Sequence, residues 1–200
     1  MTTHIRLTRP ELKRQRESLK RFLRYLPMLK LRQQQLQAQL LIAQRELDNA
    51  QNAENAAQPN ANLARSILAR TPGVNFLETL ITPSAVRTHN DDIAGIAVPA
   101  LDEIIFPEPQ YGLISTPAWT DFVLRDLRRL AELRTIRLLL AERCQRIQAE
   151  LLKTIQRVNL FEQVKIPAAQ ESIRRIKIYL SDELAAGIGR AKMAKNLYKN

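Results

Sequence analysis

The chain has 200 residues, of which 45% are apolar but only 5% aromatic and five glycine. This composition suits long helices, and it disfavours a sheet sandwich or a glycine-rich α/β enzyme. Lys and Arg outnumber Asp and Glu by 31 to 20, so the net charge is +11 at pH 7.

No apolar run is long enough to span a bilayer, and charged residues follow Met1–Thr3 at once. We therefore expect neither a transmembrane segment nor a signal peptide. The single Cys144 cannot form an internal disulfide, which fits a reducing cytoplasm.

The charge is strongly segregated along the chain. Residues 1–32 carry ten Lys and Arg against two acids, and after Glu183 four more bases follow with no acid. Residues 71–123 reverse the sign, with Arg87 as the only base. Basic ends and an acidic middle predict different partners at two places on the molecule.

The first predicted element is a helix from about Arg9 to Gln58, capped by Thr8 with Pro10 in its first turn. Its apolar positions repeat every seven residues, which is typical of a coiled coil. One row is Leu12, Leu19, Leu26, Gln33, Leu40 and Leu47, and the other is Gln15, Phe22, Leu29, Leu36, Ala43 and Ala50. Such a helix would be roughly 70 Å long.

Two prolines bear on this helix. Pro27 removes a hydrogen bond to the carbonyl of Leu23 and predicts a bend, and Pro59 predicts the end of the pattern. A short helix at Asn62–Arg70 is expected to follow. Residues 71–116 contain Gly73, Gly95 and Gly112 and short β-prone runs such as Ile93–Val98, which indicate one hairpin or small sheet.

A second long helix is predicted from Thr116-Pro117, a cap followed by proline, to near the C-terminus. Two heptad rows mark it, and Val158 and Ile166 are separated by two four-residue steps, which we interpret as a stutter. The rows are Leu130, Arg137, Cys144, Leu151 and Val158, and Leu133, Leu140, Ile147, Thr154 and Phe161; they restart around Pro167 as Ile166, Ile173 and Leu180, with Ala169 and Ile176.

These elements predict a mainly α fold. The N- and C-terminal segments, 1–58 and 117–200, form a long antiparallel two-helix coiled coil with both basic ends together. The central insert, 59–116, contains a short helix and a β-hairpin.

Motifs for catalysis are missing. No phosphate-binding glycine loop occurs, and neither His4 nor His89 lies at metal-ligand spacing from Cys144. A Cys144–His89 nucleophilic pair is formally possible, but Cys144 lies in a helix seam, where a packed, inert thiol is expected. We expect no cofactor, no metal and no catalysis by this chain alone. The alternative interpretation is a basic coiled coil that binds nucleic acid through phosphates.

One motif resembles a known family. Arg157-Val158-Asn159-Leu160-Phe161-Glu162, followed by Ile166-Pro167, resembles the R-V-N-A-L-E…I-P signature of the D subunits of vacuolar/archaeal-type (V/A-type) ATPases. Further matches follow in order along the chain: Leu7-Thr8-Arg9, Met28–Arg32 with Leu36, the hairpin element Ile93–Pro99, and Tyr111-Gly112-Leu113 with Thr116. Two other coiled-coil proteins fit less well. The gamma shaft of F-type synthases has a larger α/β domain between its helices than the insert predicted here, and a flagellar-type export stalk has no insert.

The resemblance implies a non-catalytic central-stalk rotor protein, cytoplasmic and peripheral to the membrane. Its partners would be the A- and B-type head subunits, the small companion F subunit of the rotor and a socket subunit on the membrane ring, with no nucleic acid and no homo-oligomer. The basic tip expected to contact the head comprises Arg6, Arg9, Lys13, Arg14, Arg190, Lys192 and Lys195. The insert residues expected to meet a partner are Ile93, Gly95, Ile96, Val98 and Pro99.

Overall fold

The computed structural model describes residues 6–70, 76–109 and 116–197. The elements in chain order are α1 (Arg9–Arg70), α2 (Phe76–Ile81), β1 (Ala85–Ile93), β2 (Ile96–Ile105), α3 (Thr120–Asn159), a π-helical turn (Leu160–Lys165) and α4 (Ile166–Leu197). The mainly α fold with a central two-stranded hairpin and a short helix is confirmed. Within the described ranges, no helix combines the length and apolar character needed to traverse a bilayer.

The two heptad rows predicted for α1 are its buried side. Every member of both rows is buried or half-buried, and Leu36 and Ala43 are almost fully enclosed. The same spacing continues beyond Leu47, the last member of the predicted row, through Glu54, Ala61 and Leu68. The heptad repeat therefore identifies the interface of this helix along its whole length.

The prediction that α1 ends near Gln58 is wrong, because the helix continues through Pro59 to Arg70. The predicted separate helix at Asn62–Arg70 is its last part. A proline inside a helix removes only one backbone donor, and Ala61 and Ala64 on the following turns pack in a core cluster with Val123. That packing holds the helix together across the proline.

The start of α3 is also later than predicted. Thr116-Pro117 precedes the helix, and the N–H of Thr120 donates to the carbonyl of Pro117 at 3.0 Å, so a turn separates the proline from the first helical residue. Both predicted heptad rows of α3 are buried or half-buried, with Ile147 and Thr154 the most enclosed.

The break in the seam after Val158 is a π-helical turn and not the predicted stutter. The N–H of Ile166 donates to the carbonyl of Phe161, five residues earlier. A π turn inserts a single residue into an α-helix, which is why Val158 and Ile166, both buried, are eight and not seven residues apart. The restarted row beyond it is confirmed, with Ala169 and Ile176 buried.

The hairpin β1–β2 is antiparallel and closes through Ala94 and Gly95, whose φ values are 54° and 77°. Positive φ at both central residues is typical of the type I′ turn, which matches the twist of the strands it joins. The side chain of Asp92 accepts the N–H of Gly95 at 2.7 Å. A bulge between Arg87 and Thr88 leaves Asp102 as the extra residue on β2.

The described residues form two compact units. The first combines the chain up to Gln33 with the chain from Leu152, and the second comprises Gln34–Leu151. In the first unit the ring of Phe22 meets that of Phe161. In the second, Ala43 packs with Cys144 and Ile147. Further along α1, Ala61 packs with residues nearer the start of α3, so the helices there run antiparallel.

Candidate partner-binding surfaces

The seven residues predicted for the basic tip are all exposed in the first unit. Arg9 and Arg190 line one groove of about 830 Å³, which also contains Leu7, Pro10, Leu180, Leu184 and Ile188. Arg14 is 3.9 Å from Glu11, and its side chain remains largely in solvent. The structure thus brings bases from both ends of the chain to the rim of one apolar groove.

The C-terminal part of α4 is almost entirely exposed to solvent within this unit. From Ser181 to Lys195 every residue is exposed except Gly187, which is half-buried. Ile188 and Met193 are exposed by 62% and 72%. Large apolar side chains exposed in a row beside basic residues are typical of a surface that a partner covers.

The predicted insert residues are divided between core and surface. Val98 is fully buried and packs with Ala43, Cys144 and Ile147, and the half-buried Ile93 and Ile96 pack against the same cluster. Pro99 is buried and Gly95 is exposed in the turn. Three of the five residues therefore attach the hairpin to α1 and α3 of the second unit.

The exposed side chains of the hairpin are mostly polar or charged. His89 Nδ1 is 2.6 Å from Asp102 Oδ1, and its Nε2 is 3.2 Å from Asp91 Oδ1. Arg87 and Glu103 form an ion pair at 3.4 Å beside them. The hydrogen bond and the charge of Asp102, with a smaller contribution from Asp91, raise the pKa of His89 above 6.5.

The residues of the family-like motif surround the π turn. Val158 and Ile166 are buried, whereas Arg157, Asn159 and Pro167 are exposed. Glu162 pairs with Lys30 of α1 at 2.9 Å. The motif thus has two apolar contacts in the seam and a polar side that remains accessible.

Arg128 was not among the residues predicted from the sequence. Its guanidinium donates to the carbonyl of Leu80 at 3.0 Å and to that of Pro107 at 2.5 Å, and it lies over the ring of Phe106. One side chain of α3 therefore contacts both α2 and the segment that follows β2. No sequence pattern distinguishes Arg128 from the other bases of α3.

Glu54 is a buried carboxylate in the α1 seam. It accepts hydrogen bonds from Arg134 Nε at 3.0 Å and Arg137 Nε at 2.6 Å. Burial alone would raise the pKa of Glu54, but the hydrogen bonds and charges of the two guanidinium groups outweigh it and hold that pKa below 4.5. Continuing the predicted row by seven residues from Leu47 would have found Glu54, opposite the seam residue Arg137.

Cys144 and His89 do not form a nucleophilic pair. Cys144 is buried among apolar side chains, and this burial raises the pKa of its thiol above 9.0, while His89 is engaged by two carboxylates. In the described part of the chain, no three His, Cys, Asp or Glu side chains are grouped so that they could hold a metal ion.

Comparison with known proteins decides the family. The family model for the D subunit of ATP synthase matches residues 11–196. The chain belongs to the ATP synthase D-subunit family. Among similar proteins, a V-type ATP synthase D subunit of Borreliella burgdorferi is 34% identical over 194 residues, covering 96% of this chain and 94% of its own.

Two further relatives of the same family agree. A V-type ATP synthase D subunit of Chlamydia caviae is 32% identical and covers 98% of this chain and 94% of its own. The V-type ATP synthase D subunit of Chlamydia trachomatis serovar L2 is 28% identical and covers 98% of this chain and 96% of its own. The family match includes both long helical segments and the hairpin, so it extends well beyond the Arg157–Pro167 motif.

Proposed function

We propose that this member of the D-subunit family is the central-stalk rotor of a V/A-type rotary ATPase. It transmits torque between ATP hydrolysis or synthesis in the catalytic head and ion transport through the membrane ring. The chain itself is non-catalytic, and it works on the cytoplasmic side, peripheral to the membrane.

The observation that carries this proposal is the paired heptad seam. In each compact unit α1 packs antiparallel against the C-terminal helices through side chains spaced every seven residues. Such a seam resists sliding and separation of the helices because each side chain inserts between several of the partner helix. A torque-bearing element needs this property.

The basic tip is the surface we assign to the head. Two of its seven bases, Arg9 and Arg190, line one groove together with Glu183, and the remaining exposed bases of this unit repel one another unless an acidic or dipolar surface surrounds them. The A- and B-type head subunits would supply that surround. The companion F subunit would meet the insert, residues 59–116, and a socket subunit would link the shaft to the membrane ring.

Charge reversal tests the head contact. A variant with Arg190→Glu, Lys192→Glu and Lys195→Glu should assemble with the head subunits at least about tenfold more weakly, because it places three carboxylates where the partner surface favours cations. The matched control reverses three exposed bases of α1 in the second unit, Arg45, Arg65 and Arg70. It changes the net charge equally and should leave head assembly close to wild type.

The same variants separate the nucleic-acid alternative. A phosphate-binding chain would bind RNA or DNA with a steep salt dependence, and both triple variants would weaken that binding. Full assembly and ATP-driven rotation with the tip variant, together with tight binding of the wild-type chain to nucleic acid at physiological salt, would overturn the rotor assignment.

A further inference from the structure

The buried positions of the C-terminal helices follow the coiled-coil rhythm until the π turn. Thr154, Val158 and Phe161 face the seam at steps of four and three residues, and the next buried residue, Ile166, comes five residues later. Beyond it the rhythm resumes with Ala169. A single extra residue is thus absorbed between two regular helices.

Backbone bonding is weak at this level of the helix. The bond from Ile166 to the carbonyl of Phe161 closes a π-type ring, and the next residue, Pro167, has no N–H to donate. A π turn is wider and less favourable than an α turn, and proline removes one more bond of the ladder.

The facing helix is interrupted at the same level. The ring of Phe22 lies 5.4 Å from that of Phe161, and Lys30 Nζ lies 2.9 Å from Glu162 Oε1. Pro27 lies between these two α1 residues, and it cannot donate to the carbonyl of Leu23. At this level α1 therefore lacks the one backbone bond of Pro27, and the C-terminal helix has the π turn followed by Pro167.

We propose that this level, α1 residues 23–30 with the π turn and Pro167, is a compliant joint of the helix pair. A helix interrupted alone is held straight by an intact neighbour. When both are interrupted together, bending or twisting there breaks fewer hydrogen bonds than elsewhere in the seam. The proposal rests on the rotor function in one respect: the joint would take up twist while the shaft is loaded.

Pro59 provides an internal comparison. It also interrupts α1, but the residues that pack with its neighbours Ala57 and Ala61, namely Val123, Leu127 and Leu130, belong to the regular helix α3. Only one helix of the pair is interrupted there. Pro27 and Pro59 are both exposed prolines of one helix. If the joint exists, replacing Pro27 should change hydrogen exchange on the facing helix and replacing Pro59 should not.

Hydrogen exchange in the full-length chain tests the joint directly. Amides of residues 23–31 and 159–168 should exchange at least about tenfold faster than amides of the neighbouring turns of the same helices. Pro27→Ala restores one bond in α1. Because the opening is shared, this substitution should slow exchange in both segments, including residues 159–168 on the other helix.

Pro59→Ala is the matched control, and its effect should stay within α1. If Pro27→Ala slows exchange only in α1, or if residues 159–168 are already as protected as their neighbours, the joint does not exist. A stronger variant combines Pro27→Ala and Pro167→Ala with deletion of Gln163. The deletion reduces the spacing between Val158 and Ile166 from eight residues to seven, and we call this the regularised variant.

The assembled complex tests the role of the joint under load. With the head fixed, the angular variance of a probe on the shaft is inversely proportional to its torsional stiffness. The regularised variant should reduce that variance by about half or more, since the restored backbone bonds resist twist. An unchanged variance in a complex that assembles and rotates would overturn the joint and leave the rotor function standing. If the wild-type chain fails to assemble, the rotor function fails, and the exchange experiment still decides whether the joint exists.

Discussion

At the scale of single residues, Glu54 shows how a charged group is accommodated in a coiled-coil seam. Its side chain is only 11% exposed and is held by two arginines. A buried carboxylate without partners would be costly, and its bonds to Arg134 and Arg137 are what make the position tolerable. A helix register in which Glu54 faces an apolar residue instead of these arginines is therefore unfavourable.

Replacing Glu54 by Gln should lower the free energy of unfolding by about 1–3 kcal/mol, because the amide is neutral and keeps one acceptor oxygen where the carboxylate accepts from two guanidinium groups. The control is Glu46→Gln, whose carboxylate pairs with Arg143 but is 43% exposed, so the expected loss is below about 0.5 kcal/mol. Denaturant unfolding measures both. Equal losses in the two variants would contradict a special role for Glu54.

The pKa of Glu54 also sets a direction for acid sensitivity. Because its folded pKa lies below the ordinary 4.5, its contribution to stability is present above that pH and is lost as the pH falls through the folded pKa. The difference in stability between wild type and Glu54→Gln should therefore shrink in acid. A constant difference down to the lowest pH at which the chain stays folded would argue against this account.

His89 has the opposite sign. Its pKa is raised in the folded hairpin, so protonation of the ring stabilises the fold. This contribution to stability is fully present below pH 6.5 and is lost as the pH rises through the folded pKa. Asp102→Asn should lower the pKa of His89, which an NMR titration of the ring protons measures directly. Asp92→Asn removes a carboxylate that bonds the turn instead, and it should shift the titration much less.

At the scale of elements, the insert contacts α3 in two regions. At the hairpin, Val98 packs and Arg146 donates to the carbonyl of Ala97. At α2, Leu80 packs with Leu124, and Arg128 donates to backbone carbonyls. Arg128 differs from the other contacts because its one guanidinium group donates to the carbonyls of both Leu80 and Pro107, which belong to different segments of the insert. This contact should depend on the shape of the guanidinium group.

Arg128→Ala should destabilise the insert by about 1–3 kcal/mol, since it removes two hydrogen bonds and a ring contact. Arg128→Lys should restore little, because an ammonium group cannot donate in the same fork. Hydrogen exchange in β2 is the measurement, and Arg129→Ala, which removes only an exposed pair with Glu132, is the control. Faster exchange in β2 for both alanine variants would show that Arg128 has no particular role.

The elements also show what the sequence can and cannot predict. The heptad rows identify the buried sides of both long helices, because one interface of constant period determines them. Helix ends and breaks are harder. Whether Pro59 stops a helix depends on the packing of Ala61 and Ala64 against α3, and the spacing from Val158 to Ile166 fits a stutter as well as a π turn. The role of Arg128 could not be predicted either, because the carbonyls that it binds are 21 and 48 residues away in the sequence.

At the scale of the whole molecule, the segregation of charge corresponds to separate surfaces. The exposed bases around the apolar groove belong to the first unit, while the charged hairpin cluster of His89, Asp91 and Asp102 belongs to the second. In the rotor proposal these surfaces serve different partners. Removing one should spare the other.

Deleting residues 72–115 and joining the ends with a Gly/Ser linker should leave the far-ultraviolet circular dichroism strongly helical. Binding to the companion F subunit should weaken at least about tenfold, because the hairpin surface is lost while the seam remains. The control keeps the insert and carries Arg87→Ser and Glu103→Ser, which remove one exposed ion pair. Unchanged binding and unchanged ATPase turnover in the deletion would reduce the insert to a connector.

The seclusion of Cys144 has a practical consequence for single-molecule work. It is the only cysteine in the chain, it is buried, and burial raises the pKa of its thiol, so little thiolate is available to a maleimide at neutral pH. A cysteine placed at an exposed position outside the basic tip, such as Arg45→Cys, would then be labelled almost alone. Fluorophores or beads can thus be attached at chosen sites without first replacing the native cysteine.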